Sequence, residues 1–103
     1  MNVETDYKVQ ILGMLFPQLL ETLAAGAKDG DVTGDDIVDF FGLGIAAFID
    51  HDSNLTTKRH LRLAADTAAI RIEQRAKEFR AMHDQTGISW LSLKLEQAGE
   101  MAN

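Results

Sequence analysis

From Phe40 to Ile49 the chain runs for ten residues without a polar side chain, through Phe40, Phe41, Gly42, Leu43, Gly44, Ile45, Ala46, Ala47, Phe48 and Ile49. As a helix this run is ~15 Å long, half of a ~30 Å bilayer core, so it is too short to be a membrane span. Asp35, Asp36 and Asp39 precede it and Asp50 and Asp52 follow it, which places both ends in water. An apolar helix with wetted ends must bury its length against something. The pattern predicts the central helix of a core, with Gly42 and Ala46 one turn apart allowing close approach and Phe41, Ile45 and Phe48 filling space. A charge at Ile45 should then abolish folding or assembly.

The neighbouring segments read as helices too. Between about Asp6 and Ala27, Val9, Leu12, Phe16, Leu19 and Leu23 recur at spacings of three and four, and Ile11 with Leu15 widens the stripe. Pro17 inside this pattern lacks the N–H that would bond to the Gly13 carbonyl, which predicts a kink or two short helices. Gly26 to Gly34 is a loop rich in Gly and Asp. Thr33 followed by Asp36 gives a capping box with Asp in place of Glu, so the second helix starts near Asp35, with Asp35, Asp36 and Asp39 at the favourable end of its dipole.

Ser53, Asn54 and Thr56 offer caps for a third helix, residues 55–84, some 30 residues and ~45 Å long. Its apolar face is Leu61, Ala65, Ala68, Ile72, Ala76 and Phe79, and its wet face Arg62, Asp66, Glu73, Lys77, Arg80 and Asp84. Glu73 and Lys77 stand in the favourable i,i+4 order. Gln85-Thr86-Gly87 stops it. The last segment, Ile88 to about Glu100, fits a helix through Ile88, Leu91, Leu95 and Ala98, or a strand through Leu91, Leu93 and Leu95. Helix is the choice, because no second strand-like segment exists to pair with.

The fold class that follows is all-α: a compact bundle of about four helices in a single domain, 1–103, with one long helix at about 55–84. The third helix is nearly twice as long as the second, and its end would protrude from a monomeric bundle. A homodimer is therefore expected to complete the bundle, with the third helix and the last segment packing across subunits.

Composition removes several kinds of chemistry. The absence of cysteine excludes disulfides, thiolate nucleophiles and zinc ribbons. A net charge of −6 argues against direct nucleic-acid binding. That charge is uneven: residues 1–52 carry ten acids against Lys8 and Lys28, and residues 53–103 carry eight bases against six acids. The two halves can attract each other within one chain or between copies. The acidic start has no basic n-region and no apolar run approaches the ~18 residues of a span, so neither a secretory signal nor a membrane anchor is expected and a cytoplasmic location is the default.

Four groups of residues are candidate sites. Asp29-Gly30-Asp31-Val32-Thr33-Gly34-Asp35 resembles the first half of an EF-hand calcium loop, which would imply a divalent cation held by oxygen ligands. The resemblance stops there. Asp36 stands at the eighth position, where the family has an apolar residue, and Phe40 at the twelfth, where it has a bidentate Glu. The simpler reading, a turn leading into an acid-rich helix start, is preferred, and no metal or cofactor is assigned. The same acids, Asp29, Asp31, Asp35, Asp36 and Asp39, form a candidate acidic patch.

Lys58, Arg59, His60 and Arg62 crowd the first turns of the third helix, where the dipole disfavours positive charge. They are a candidate anion site, although Asp50 and Asp52 across the loop offer to neutralise them. Asp50, His51 and Asp52 point in different directions from one helix end and suit a hydrated terminus better than a metal. His60 and His83 are about six turns apart and cannot share a site within one chain. Phe40, Phe41, Ile45, Phe48, Phe79 and Trp90 are the candidates for core or interface.

No nucleophile elbow, nucleotide loop or zinc-protease motif occurs. The expected function is a non-catalytic helical interaction protein, an oligomeric adaptor or regulator acting by protein docking. One alternative is an acidic decoy occupying the basic site of a nucleic-acid-handling protein. Another is a weak divalent-metal protein or an enzyme.

Overall fold

The computed structural model describes residues 5–102, and their side chains as far as residue 99. These residues form four helices in the order α1 (Tyr7–Gly26), α2 (Gly34–His51), α3 (Lys58–Thr86) and α4 (Trp90–Ala102), and no strand occurs among them. The last segment is thus a helix.

Local chemistry sets each boundary. The Asp6 carboxylate accepts from the Lys8 N–H at 2.8 Å and caps α1. Pro17 lies inside α1, which nevertheless runs unbroken over 20 residues rather than splitting in two. At α2 the capping box forms: Thr33 Oγ1 accepts from Asp36 N–H at 3.2 Å, and the Asp36 carboxylate accepts from Thr33 N–H at 2.9 Å. The third helix begins later than Ser53, Asn54 or Thr56 suggest. Thr57 is its cap, accepting from His60 N–H at 3.1 Å while His60 Nδ1 accepts from Thr56 N–H at 3.2 Å. Gly87, at φ 79°, donates to the His83 carbonyl at 2.8 Å and ends α3 in the left-handed conformation glycine adopts freely. Ser89 then caps α4 by accepting from Ser92 N–H at 3.2 Å.

Where composition points to one domain, the contacts gather the chain into two units: Met1–Asp31 with Arg75–Asn103, and Val32–Gln74. In the first unit α1 packs on α4. Trp90 and Val9 are buried together, each 8% exposed, and Leu12, Phe79, Met82 and Leu91 pack around them. Phe16 is buried as well. The stripe of Val9, Leu12, Phe16, Leu19 and Leu23 is the inner face of α1, whereas Ile11 and Leu15 stay about half exposed and do not widen it.

The close approach in this unit is made by Gly13, not by a glycine of α2. A methyl group at Gly13 would stand 3.1 Å from Trp90 Cζ2 and 3.3 Å from Lys94 Cδ. The lysine can move aside, but the buried indole cannot. Gly13→Val is therefore expected to cost about 1–3 kcal/mol, the usual cost of overpacking, read as a lower urea midpoint at unchanged slope. A valine variant as stable as the parent would show that the α1–α4 contact is looser than described.

In the second unit, Val32–Gln74, Ile45 and Ile49 of α2 line one open cleft with Ala64 and Ala68 of the first half of α3. The burial in this unit overturns the expectation of a central core helix. No residue of α2 is buried, and none of α3 is. A helix that is apolar all round can turn only one face to its neighbour, and here that face is Ile37, Phe41 and Ile49, each only half-buried. The inner face of α3 also shifts. Ala64 and Ala68 are half-buried, while Leu61, Ala65 and Ile72, assigned inward from the sequence, are exposed.

Candidate interaction surface

The second unit gathers most of the candidate residues and leaves them in the open. Phe40 is 40% exposed, Ile45 37% and Phe48 78%. Phe40 meets the half-buried Phe41 edge to face at 5.7 Å, and Phe48 meets the His51 ring at 6.4 Å. Large apolar side chains that the sequence reading did not single out are exposed here too: Val38, Leu43, Leu63 and Ile70. For Leu43 the signal was present in the unbroken run from Phe40 to Ile49, since a cylinder with no polar side cannot hide all its faces against one neighbour. Between α2 and α3 lies an open cleft of about 680 Å³ lined by Ile45, Phe48, Ile49, Leu55, Ala64 and Ala68.

Phe79 and Trp90, grouped with these residues from the sequence, lie in the other unit. Their rings are tilted against each other at 5.2 Å, and Trp90 is buried rather than presented to a partner.

The charged candidates are all exposed. Asp29 accepts from Asp31 N–H at 3.1 Å and Asp36 is occupied by its capping box, so two of the five acids serve the local backbone. Among the described residues no three His, Asp or Glu side chains gather into a metal-binding group, and the half-loop resembling an EF-hand does not fold into a cage. Lys58, Arg59 and Arg62 stand at the start of α3, with His60 turned back to its cap. Asp50 and Asp52 do not pair with them. Asp52 accepts instead from Asn54 N–H at 3.0 Å, and the ion pairs of the described residues lie elsewhere.

Those ion pairs were not foreseen. Arg75 donates to Asp6 at 2.8 Å and to Glu78 at 3.1 Å, joining the α1 cap to α3. The Asp6 side chain is only 7% exposed. No local pattern signals a contact between residues 69 positions apart. The Lys8 N–H first, and the Arg75 guanidinium after it, hold the Asp6 carboxyl below its ordinary 3.8, and Asp6 in turn pushes Arg75 upward. A carboxyl with a depressed folded pKa contributes stability that is present above its unfolded value and lost as pH falls through the folded one. Asp6→Asn should therefore lower the melting temperature at neutral pH, and the gap to the parent should close below pH 3.8. A gap of constant size throughout the acid range would assign the loss to packing instead.

α1 is long and apolar enough, by length and composition, to cross a membrane, with a mean hydropathy of 1.2. Lys8, Gln10, Gln18 and Glu21 interrupt its apolar sequence. The same properties suit a helix with one face in a protein core, and Val9 and Phe16 are buried in that way. Comparison with protein-family models, curated proteins and solved structures finds no match.

Proposed function

We propose that the protein is a non-catalytic helical interaction protein, an oligomeric adaptor or regulator that works by docking through the apolar surface of Val32–Gln74. One observation carries this reading. That unit holds nine large apolar side chains exposed to solvent and contributes none to the buried core. Monomeric proteins rarely leave a contiguous apolar patch of more than a few hundred Å² uncovered, and a pair of helices without a buried core is marginal unless something packs on it.

A tagged pull-down from the native host, run at low and at high salt, tests the proposal. Docking by apolar contact predicts capture that survives high salt and is lost when an exposed apolar residue becomes charged. Capture that collapses with salt yet ignores such a substitution would point instead to the exposed acids, since screening weakens exposed charge pairs.

A further inference from the structure

The first unit holds a concave site that docking through Val32–Gln74 does not use. A cleft of about 350 Å³ is bounded by α1, the second half of α3 and the start of α4. Phe16, Phe79, Trp90 and Leu91 give it an apolar, largely aromatic floor. Phe16 and Trp90 are buried, and the Phe79 and Trp90 rings meet at 5.2 Å with their planes tilted by 49°. These rings are therefore fixed by packing before anything enters.

Two basic residues line the same cleft. Arg80, which is exposed, and His83, which is half-buried, stand three apart on α3, so they share its face and form the rim. Among the described residues neither the guanidinium nor the imidazole has a hydrogen-bond or ion-pair partner. Asp84, one turn beyond Arg80, pairs with neither of them. Ser89 also lines the cleft, but its hydroxyl donates to Ser92 Oγ at 2.9 Å and so belongs to the α4 cap. The rim thus offers one permanent cation and one imidazole donor to whatever the floor holds.

We infer that this cleft binds a small apolar monocarboxylate, its hydrocarbon body on the Phe16, Phe79 and Trp90 floor and its carboxylate at Arg80 and His83. An apolar cleft with a few polar groups at one edge is the usual form of a small-molecule site, and its volume lies at the lower end of their ~300–1,000 Å³ range. At ~30 Å³ for each water-sized group, it holds roughly a dozen non-hydrogen atoms. Aromatic walls favour a flat or extended apolar body. A planar guanidinium matches a carboxylate with two parallel hydrogen bonds, and a single permanent cation suits a singly charged head group.

Trp90 is the chain's one tryptophan, so its fluorescence reports this cleft and not the exposed surface of the second unit. The full chain is titrated with 4-phenylbutyrate, a probe of the expected size, and with 4-phenylbutanamide, which keeps the shape and loses the charge. The carboxylate should change the Trp90 emission saturably, and the amide should bind about tenfold more weakly. Arg80→Gln combined with His83→Gln should weaken the carboxylate about tenfold and leave the amide unchanged. Ala76→Phe, at an exposed position lining the cleft, should block both probes at unchanged helix content. Absence of a saturable change in the parent overturns the proposal, as does an amide that binds as tightly as the carboxylate. Equal losses of both probes in the double variant would mean that Arg80 and His83 shape the floor and do not hold the head group, which overturns their assignment. Full binding by a folded Ala76→Phe protein would place the probe outside this cleft.

Discussion

Trp90→Ala is expected to destabilise the first unit by about 3–5 kcal/mol, the range for removing a large aromatic from a core. Few side chains are buried among the described residues, and Trp90 is the largest of them. It packs with Val9, lies 5.2 Å from the Phe79 ring and fills the space that Gly13 leaves on α1. Its loss leaves α1 and α4 without the side chain that both use as their contact. Against a total stability of about 5–15 kcal/mol, that loss shifts a large share of molecules toward the unfolded state at body temperature. Urea denaturation followed by far-UV circular dichroism reads it directly. A change under ~1 kcal/mol would mean that the core lies elsewhere.

The second large effect is expected at Ile45. This residue lies in the seam between α2 and α3 and lines the cleft there, at 37% exposure. Ile45→Asp places a carboxylate in the middle of an apolar helix whose only route to stability is burial. Removing an uncompensated charge from water costs several kcal/mol in a closed interface. The expected result is a protein whose assembly is lost and whose α2 is frayed, seen as a smaller hydrodynamic size with reduced helix content. A well-folded Ile45→Asp variant of unchanged size would show that α2 is not placed as described.

Much of the architecture was legible from residue order. The capping box at Thr33 and Asp36, the stripe from Val9 to Leu23 and the wet face of α3 each depend on residues close in sequence, and local spacing reports local geometry. The choice of helix for the last segment rested on pairing: a lone strand has no ladder to join. The surfaces were less legible. Periodicity assigned Leu61, Ala65 and Ile72 to an inner face, but it identifies an apolar stripe without saying what lies against it. In the chain that inner face is led by Ala64 and Ala68, and the stripe of Leu61, Ala65 and Ile72 stays exposed.

The run from Phe40 to Ile49 shows the same limit. A sequence without polar residues says that a helix will be covered, and it leaves open whether the cover is this chain, a copy or another protein. The Asp6–Arg75 pair was invisible for a different reason, because it joins a helix cap to a residue far along the chain and both members look like ordinary surface charges. The basic cluster at Lys58, Arg59 and Arg62 was paired with the nearest acids, Asp50 and Asp52. Asp52 turns instead to the Asn54 N–H, and neither acid pairs with the bases.

Hydrogen exchange measured on the purified chain at nanomolar and at high micromolar concentration tests most directly whether the second unit lacks a core of its own. At the lower concentration the amides of α2 and of Lys58–Gln74 should exchange far faster than those of α1 and α4, which flank Trp90, and at the higher concentration their protection should rise toward that of the first unit. Equal and concentration-independent protection in the two units would contradict it.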